Sequence, residues 1–154
     1  MEFAIVLPVF LAMLLAIVDV GRVVWANNSL ANAAREAARF AIVHGGSAGT
    51  ACPVGPPGPD TIIPAVSSAC PHPSPSKQSI VDVARQFAFA GGTNVVVEVC
   101  YGTGCSGTTD TQLTNARGTR VTVTVRSDLN LVAGAFLGLG DYTVTGQSIM
   151  LVNH

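Results

Sequence analysis

The chain has 154 residues, about one domain's worth, with a net charge of −1, only 11% charged residues and a single lysine, Lys77. Nucleic-acid binding needs a clustered basic surface, and this composition cannot supply one. Mean hydropathy is positive, but part of the apolar excess sits in the first segment, so the remainder can be an ordinary water-soluble domain.

From Phe3 to Val18 no polar residue interrupts the chain, and Asp19 ends the run. A helix needs roughly 20 residues to cross a bilayer, so this run is slightly short unless Glu2 and whatever precedes Met1 extend it. Pro8 would break a short soluble helix but is tolerated in a membrane span, where neighbouring groups accommodate the lost bond. Signal peptides and anchors begin with Lys or Arg, whereas this run begins with an acid, Glu2.

The helical pattern continues past Asp19. Val23, Leu30, Ala34, Ala37 and Ala41 recur on one side, and Asn28, Asn32, Arg35, Glu36 and Arg39 fill the other. The glycines of "HGGSAG" after Val43 end the pattern. The spacing predicts one helix from about Glu2 to Val43, about 60 Å long at roughly 1.5 Å per residue. Its first half is apolar all round and its second half amphipathic. Asp19 with Arg22, and Glu36 with Arg39, are spaced to pair along it.

The division expected is a membrane or filament-core helix over 1–43 and a globular domain over 44–154 that opens with a proline-rich loop, 44–78. Every proline except Pro8 lies between Pro53 and Pro75. "GPPGP" lacks a sustained triplet period, so the stretch reads as a surface loop and not as collagen. Four cysteines, Cys52, Cys70, Cys100 and Cys105, fit two disulfides outside the cytoplasm. The simplest pairing is Cys52 with Cys70 and Cys100 with Cys105, among three possible. A zinc site fits poorly, because Cys52 and Cys70 are too far apart to form a short ligand pair.

"SKQSIVDVARQFAFAGG" predicts a short helix with Ile80, Val83, Ala84 and Phe87 on one face, Ser79 as N-cap and Gly91 beyond its end. The period then changes to two. "NVVVEVCY" aligns Val95, Val97, Val99 and Tyr101, and "TRVTVTVRS" aligns Val121, Val123 and Val125. "DYTVTGQSIMLV" reads as a third strand. In it Tyr142 and Val144 share a parity that Ile149 and Leu151 oppose, and a bulge near Gly146 would reconcile them. The fold class expected is therefore α+β, with the long helix packed on a small antiparallel sheet beside a short extra helix.

Little in the sequence points to catalysis. "GTGCSG" matches G-x-G-x-x-G at Gly102, Gly104 and Gly107, but a polar, turn-like stretch follows where a dinucleotide site needs a helix. His44, His72 and His154 are not spaced as metal ligands or as partners of a serine and a carboxylate. No catalytic residue, metal site or cofactor is expected. In "DLNLVAGAFLGLGD", Leu131, Val132, Phe136, Leu137 and Leu139 sit in a connection, where they either cover the sheet's core or form an apolar patch for a partner or a membrane surface.

The first forty residues resemble the opening of TadE-like proteins, pilin-like components of the tight-adherence (Flp-type) pilus system. The resemblance rests on Glu2-Phe3, Leu7-Pro8, Asp19, Gly21-Arg22 and the Ala33-to-Arg39 helix, in that order and spacing. The closing strands look like the family's more loosely, and the proline- and cysteine-rich middle matches no pattern. The resemblance implies a precursor cut by a prepilin peptidase a few positions before Glu2, with Glu2, Phe3, Pro8, Asp19 and Arg22 as the residues of assembly and processing. The basic leader and cleavage glycine of the family are missing ahead of Glu2. Either the chain is already trimmed or Met1 is an internal start, and the second is the expectation.

The positive-inside rule alone would hold Arg22, Arg35 and Arg39 in the cytoplasm. The resemblance and the cysteines imply the opposite topology, a single-pass protein of the inner membrane whose C-terminal domain lies outside the cytoplasm and reaches the cell surface with the pilus. Its partners would be other pilin-like subunits and the peptidase. The function expected is a structural, minor or priming pilin-like subunit and not an enzyme. The alternatives are a filament-forming pilin and a membrane-anchored binding module.

Overall fold

The structure is a computed structural model that describes residues 3–45, 53–56, 76–89, 94–105, 107–112, 114–137 and 140–153; the side chains of residues 3–5 and 135–137 are excepted. Among the described residues the elements run α1 (Phe3–Val43), α2 (Gln78–Phe87), β1 (Val95–Tyr101), β2 (Arg120–Leu129), α3 (Val132–Leu137) and β3 (Tyr142–Leu151). The architecture is α+β: one long helix packed on a three-stranded antiparallel sheet, with α2 beside it.

The strands lie in the order β1-β2-β3. Val99 pairs with Val123 across the first ladder and Val125 with Gly146 across the second. Alternation sends Val121, Val123, Val125 and Leu129 inward, and all four are buried. α1 covers that face with Ala26, Leu30, Ala33, Ala34, Ala37, Ala38 and Ala41, all buried, while Asn28, Asn32, Arg35 and Arg39 stay exposed. Small side chains along this stripe let the helix backbone come close to the sheet. α2 closes the flank with Ile80 and Ala84.

Closest approach falls at Gly146. A Cβ there would run into the backbone of Leu30 and Ala31, so only glycine fits beneath α1. This settles the parity conflict in β3 in a way the sequence reading does not anticipate. The β2–β3 register is continuous from Leu129↔Tyr142 to Arg120↔Leu151, without a bulge. Val144, Gly146 and Ser148 face the core, and Ile149 and Leu151 point outward, 53% and 59% exposed.

Three further expectations are corrected. Ser79 lies inside α2; the preceding turn is held instead by Ser76, whose Oγ accepts the Gln78 N–H at 3.1 Å. The connection after β2 contains a helix, α3. The first part of the proline-rich stretch, 53–56, is buried. Val54 there donates its N–H to the His44 carbonyl at 2.8 Å and accepts from buried Asn115 Nδ2 at 2.8 Å. The rest of that stretch, and Gly91, lie outside the described residues.

β3 runs beside α1 in the same sense. Tyr142 shares a groove with Val20 and Val24, Gly146 meets Leu30, and the Asn153 N–H donates to the Ile42 carbonyl at 3.3 Å. The β2–β3 connection therefore sits where α1 leaves the sheet, and the β1–β2 loop sits at the opposite, distal end.

Candidate functional site

The first half of α1 projects beyond the sheet without covering. Val6, Leu7, Val9, Phe10, Met13, Ile17 and Val18 are each more than half exposed. Pro8 lies inside the helix without ending it. By length and composition this helix is apolar enough to cross a membrane. Phe3 begins α1, its side chain being undescribed, and Glu2 lies outside the described residues.

Where the apolar half meets the sheet domain, Asp19 is 5% exposed. Its two carboxylate oxygens accept the backbone N–H groups of Val132 at 3.1 Å and Ala133 at 2.6 Å. Those are donors that the first turn of α3 cannot satisfy within itself, so a residue of α1 caps a helix more than a hundred residues later. Arg22 lies 3.7 Å from the same carboxylate and donates to the Asn130 carbonyl at 3.3 Å. The Asp19–Arg22 spacing, read as a helix-surface pair, is thus a clamp on the β2–β3 connection. Beside it an apolar groove of about 320 Å3 runs between Ala16, Val20 and Val24 of α1 and Leu131, Ala133 and Tyr142. Of the apolar residues expected in the connection, Leu131 lines this groove and Val132 is 42% exposed. The side chains of Phe136 and Leu137, and Leu139 as a whole, are not described.

The distal end is stapled more than once. Cys100 and Cys105 form a disulfide at the base of the β1–β2 loop. Cys52 and Cys70 lie outside the described residues. Lys77 Nζ reaches the Asp110 carboxylate at 2.6 Å and the carbonyls of Val99 at 3.1 Å and Thr108 at 3.3 Å. Asp110 also accepts the Tyr101 N–H at 2.8 Å. Burial, and then the negative charge of Asp110, push the Tyr101 phenol above its ordinary value, so it stays neutral. Sequence reasoning missed this cluster; the one available signal was a lone lysine in a lysine-poor chain.

Gly102, Gly104 and Gly107 take positive φ angles of 115°, 72° and 63° in that loop, and among the described residues no helix opens after them. They serve the turn, which is a geometry unlike that of a dinucleotide site. His44 stacks on Phe40 with ring centroids 4.1 Å apart, and its Nδ1 lies 2.9 Å from the Phe40 carbonyl. His72 and His154 lie outside the described residues. Among the described residues no three His, Cys, Asp or Glu side chains are gathered to hold a metal ion.

Residues 1–39 match the model of the family described as TadE-like protein. The matched stretch covers the exposed apolar half of α1, the Asp19–Arg22 clamp and most of the alanine stripe. No curated protein and no solved structure matches the chain.

Proposed function

We propose that this chain is a pilin-like, structural subunit of a tight-adherence-type pilus, held in the inner membrane by the first half of α1 and assembled through it. The observation that carries this reading is the coincidence of the TadE-like match over 1–39 with an apolar half-helix that the fold leaves uncovered. The sheet domain lies outside the cytoplasm, where a disulfide persists. The size of the domain and its proline-rich loop favour a minor or priming subunit over the bulk filament pilin.

Energetics allow the membrane stage. Phe3 to Val18 holds eleven Leu, Ile, Val and Phe residues, each favouring insertion by about 0.3–0.6 kcal/mol on translocon scales, or about 3–7 kcal/mol together. A carboxylate at the helix centre costs about 2.5–3.5 kcal/mol, close to the low end of that gain. Glu2 offsets its cost by pairing with the N-terminal amine of a neighbouring subunit once the helices bundle. Other pilin-like chains are then the partners, each packing its Phe3-to-Val18 face on the next, and a prepilin peptidase is the processing partner where a leader precedes Glu2.

The test is Glu2→Ala in cells that make the pilus. Membrane fractionation of the chain is expected to be unchanged and surface pili to be lost. Normal piliation with the variant would sink the assembly role and leave an anchored binding module as the better reading.

A further inference from the structure

We infer that the two ends of the β2–β3 connection form a membrane-resting foot: Leu131, Ala133 and Tyr142, with the groove they share with α1, lie against the lipid surface at the boundary of headgroups and acyl chains. The inference rests on the reading of α1 as membrane-inserted and adds a second, monotopic contact made by the sheet domain.

At 1.5 Å per residue, the run from Phe3 to Val18 spans only about 24 Å, against a hydrocarbon core of about 30 Å. With Glu2 drawn inside it, a matching span of about 20 residues ends near Gly21, which places Asp19 at the boundary of acyl chains and headgroups. A carboxylate facing lipid there is costly. Asp19 does not face lipid; it is 5% exposed, and what covers it is the start of α3. The groups that cover Asp19 must share its depth, so Val132 and Ala133 enter the interface with it.

Val20, Val24 and Trp25 are 64%, 55% and 63% exposed, so the uncovered apolar face of α1 continues past the acid. Arg22, the charged residue in this stretch that reaches solvent, can extend its guanidinium to the headgroups while its stem stays in apolar surroundings. Tyr142 is 51% exposed at the lip of the groove, beside Val20 and Val24, within a helical turn of Trp25. A Trp, a Tyr and an Arg at one level, next to an apolar span, are the residue types that settle at the membrane–water interface. The groove itself is continuous with the span through Ala16, so lipid is its occupant while the chain is held in the membrane, before the helices bundle.

Trp25 is the only tryptophan, and it permits a direct depth measurement. The full chain is reconstituted in vesicles of phosphatidylcholine and phosphatidylglycerol whose acyl chains carry bromine either near the carbonyl or near the methyl end. Three proteins are compared: wild type, Trp25→Phe with Tyr142→Trp, and Trp25→Phe with Phe10→Trp. Shallow bromine should quench both wild-type Trp25 and the Tyr142→Trp probe at least about twofold more than deep bromine, as for rings at headgroup level. The Phe10→Trp probe should show the reverse order. If Phe10→Trp is quenched but Tyr142→Trp is reached only by aqueous iodide, the span stands and the foot is wrong. If Tyr142→Trp is shielded from both bromine and iodide, a second copy fills the groove and the inference is overturned. If Phe10→Trp escapes bromine altogether, the membrane reading fails and takes the foot with it.

Discussion

The Asp19 carboxylate accepts the backbone N–H of Ala133 at 2.6 Å, joining residues 114 apart in sequence at the point where α1 leaves the sheet. Removing a side-chain cap costs about 0.5–2 kcal/mol. Asp19→Ala is therefore expected to lower the unfolding free energy of the full chain in detergent by about 1–2 kcal/mol, because the cap is buried and charged. Hydrogen exchange provides the specific check: the amides of Val132 and Ala133 should lose protection well before those of β2. Equal loss across the sheet would mean that Asp19 acts in some other way.

Gly146 sits under the backbone of Leu30 and Ala31, with no flexible side chain to give way. Gly146→Ala should cost about 1–3 kcal/mol or more, as overpacking does. Ile149→Ala, three positions along the same strand but on the outer face, should stay within about 0.5 kcal/mol. Denaturant midpoints of the two variants measure the contrast, and similar midpoints would refute the close approach.

Lys77 holds Asp110 at 2.6 Å, with the lysine side chain 26% and the aspartate side chain 10% exposed. Truncating one member leaves the other half-desolvated and unpaired; since the pair is not fully buried, the expected loss is about 1–3 kcal/mol, below the full cost of a buried pair. A double-mutant cycle with Lys77→Met and Asp110→Asn should give a coupling energy of at least about 1 kcal/mol. Additive effects would show that the two residues stabilise the distal end independently.

Tyr101 supplies a pH signature. Its phenol titrates above its ordinary value in the fold, whereas in the unfolded chain it titrates near 10. Above about pH 10 the unfolded state has released this proton and the folded state has kept it, so stability falls as pH rises, with a slope of up to about 1.4 kcal/mol per unit. Below that pH the contribution is constant. Tyr101→Phe should flatten this alkaline limb. Its effect near neutrality should be within about 1 kcal/mol, because the buried hydroxyl has no hydrogen-bond partner among the described residues. Urea unfolding at several pH values gives both quantities.

The limits of sequence reading trace to long-range contacts. α1 was legible to its end because apolar length and then alanine spacing are local signals, and β1 and β2 because their valines alternate. α3 was not legible: "VAGAFL" has a glycine near its middle, and the carboxylate that caps it belongs to a residue 113 positions earlier than Val132. The faces of β3 were misjudged because Ile149 and Leu151 look like core residues, while the position that governs packing, Gly146, has no side chain at all. Asp19 and Arg22 were visible as a pair, but what they hold became visible only once β2 had returned to the base of the helix.

The most direct measurement is mass spectrometry of pili sheared from cells that make the protein, searching for the tryptic peptide of residues 23–35, "VVWANNSLANAAR". Wild-type filaments are expected to contain it, and Glu2→Ala is expected to confine it to the membrane fraction. Wild-type pili that lack the peptide, while the membranes of the same cells retain it, would contradict a role as a pilus subunit.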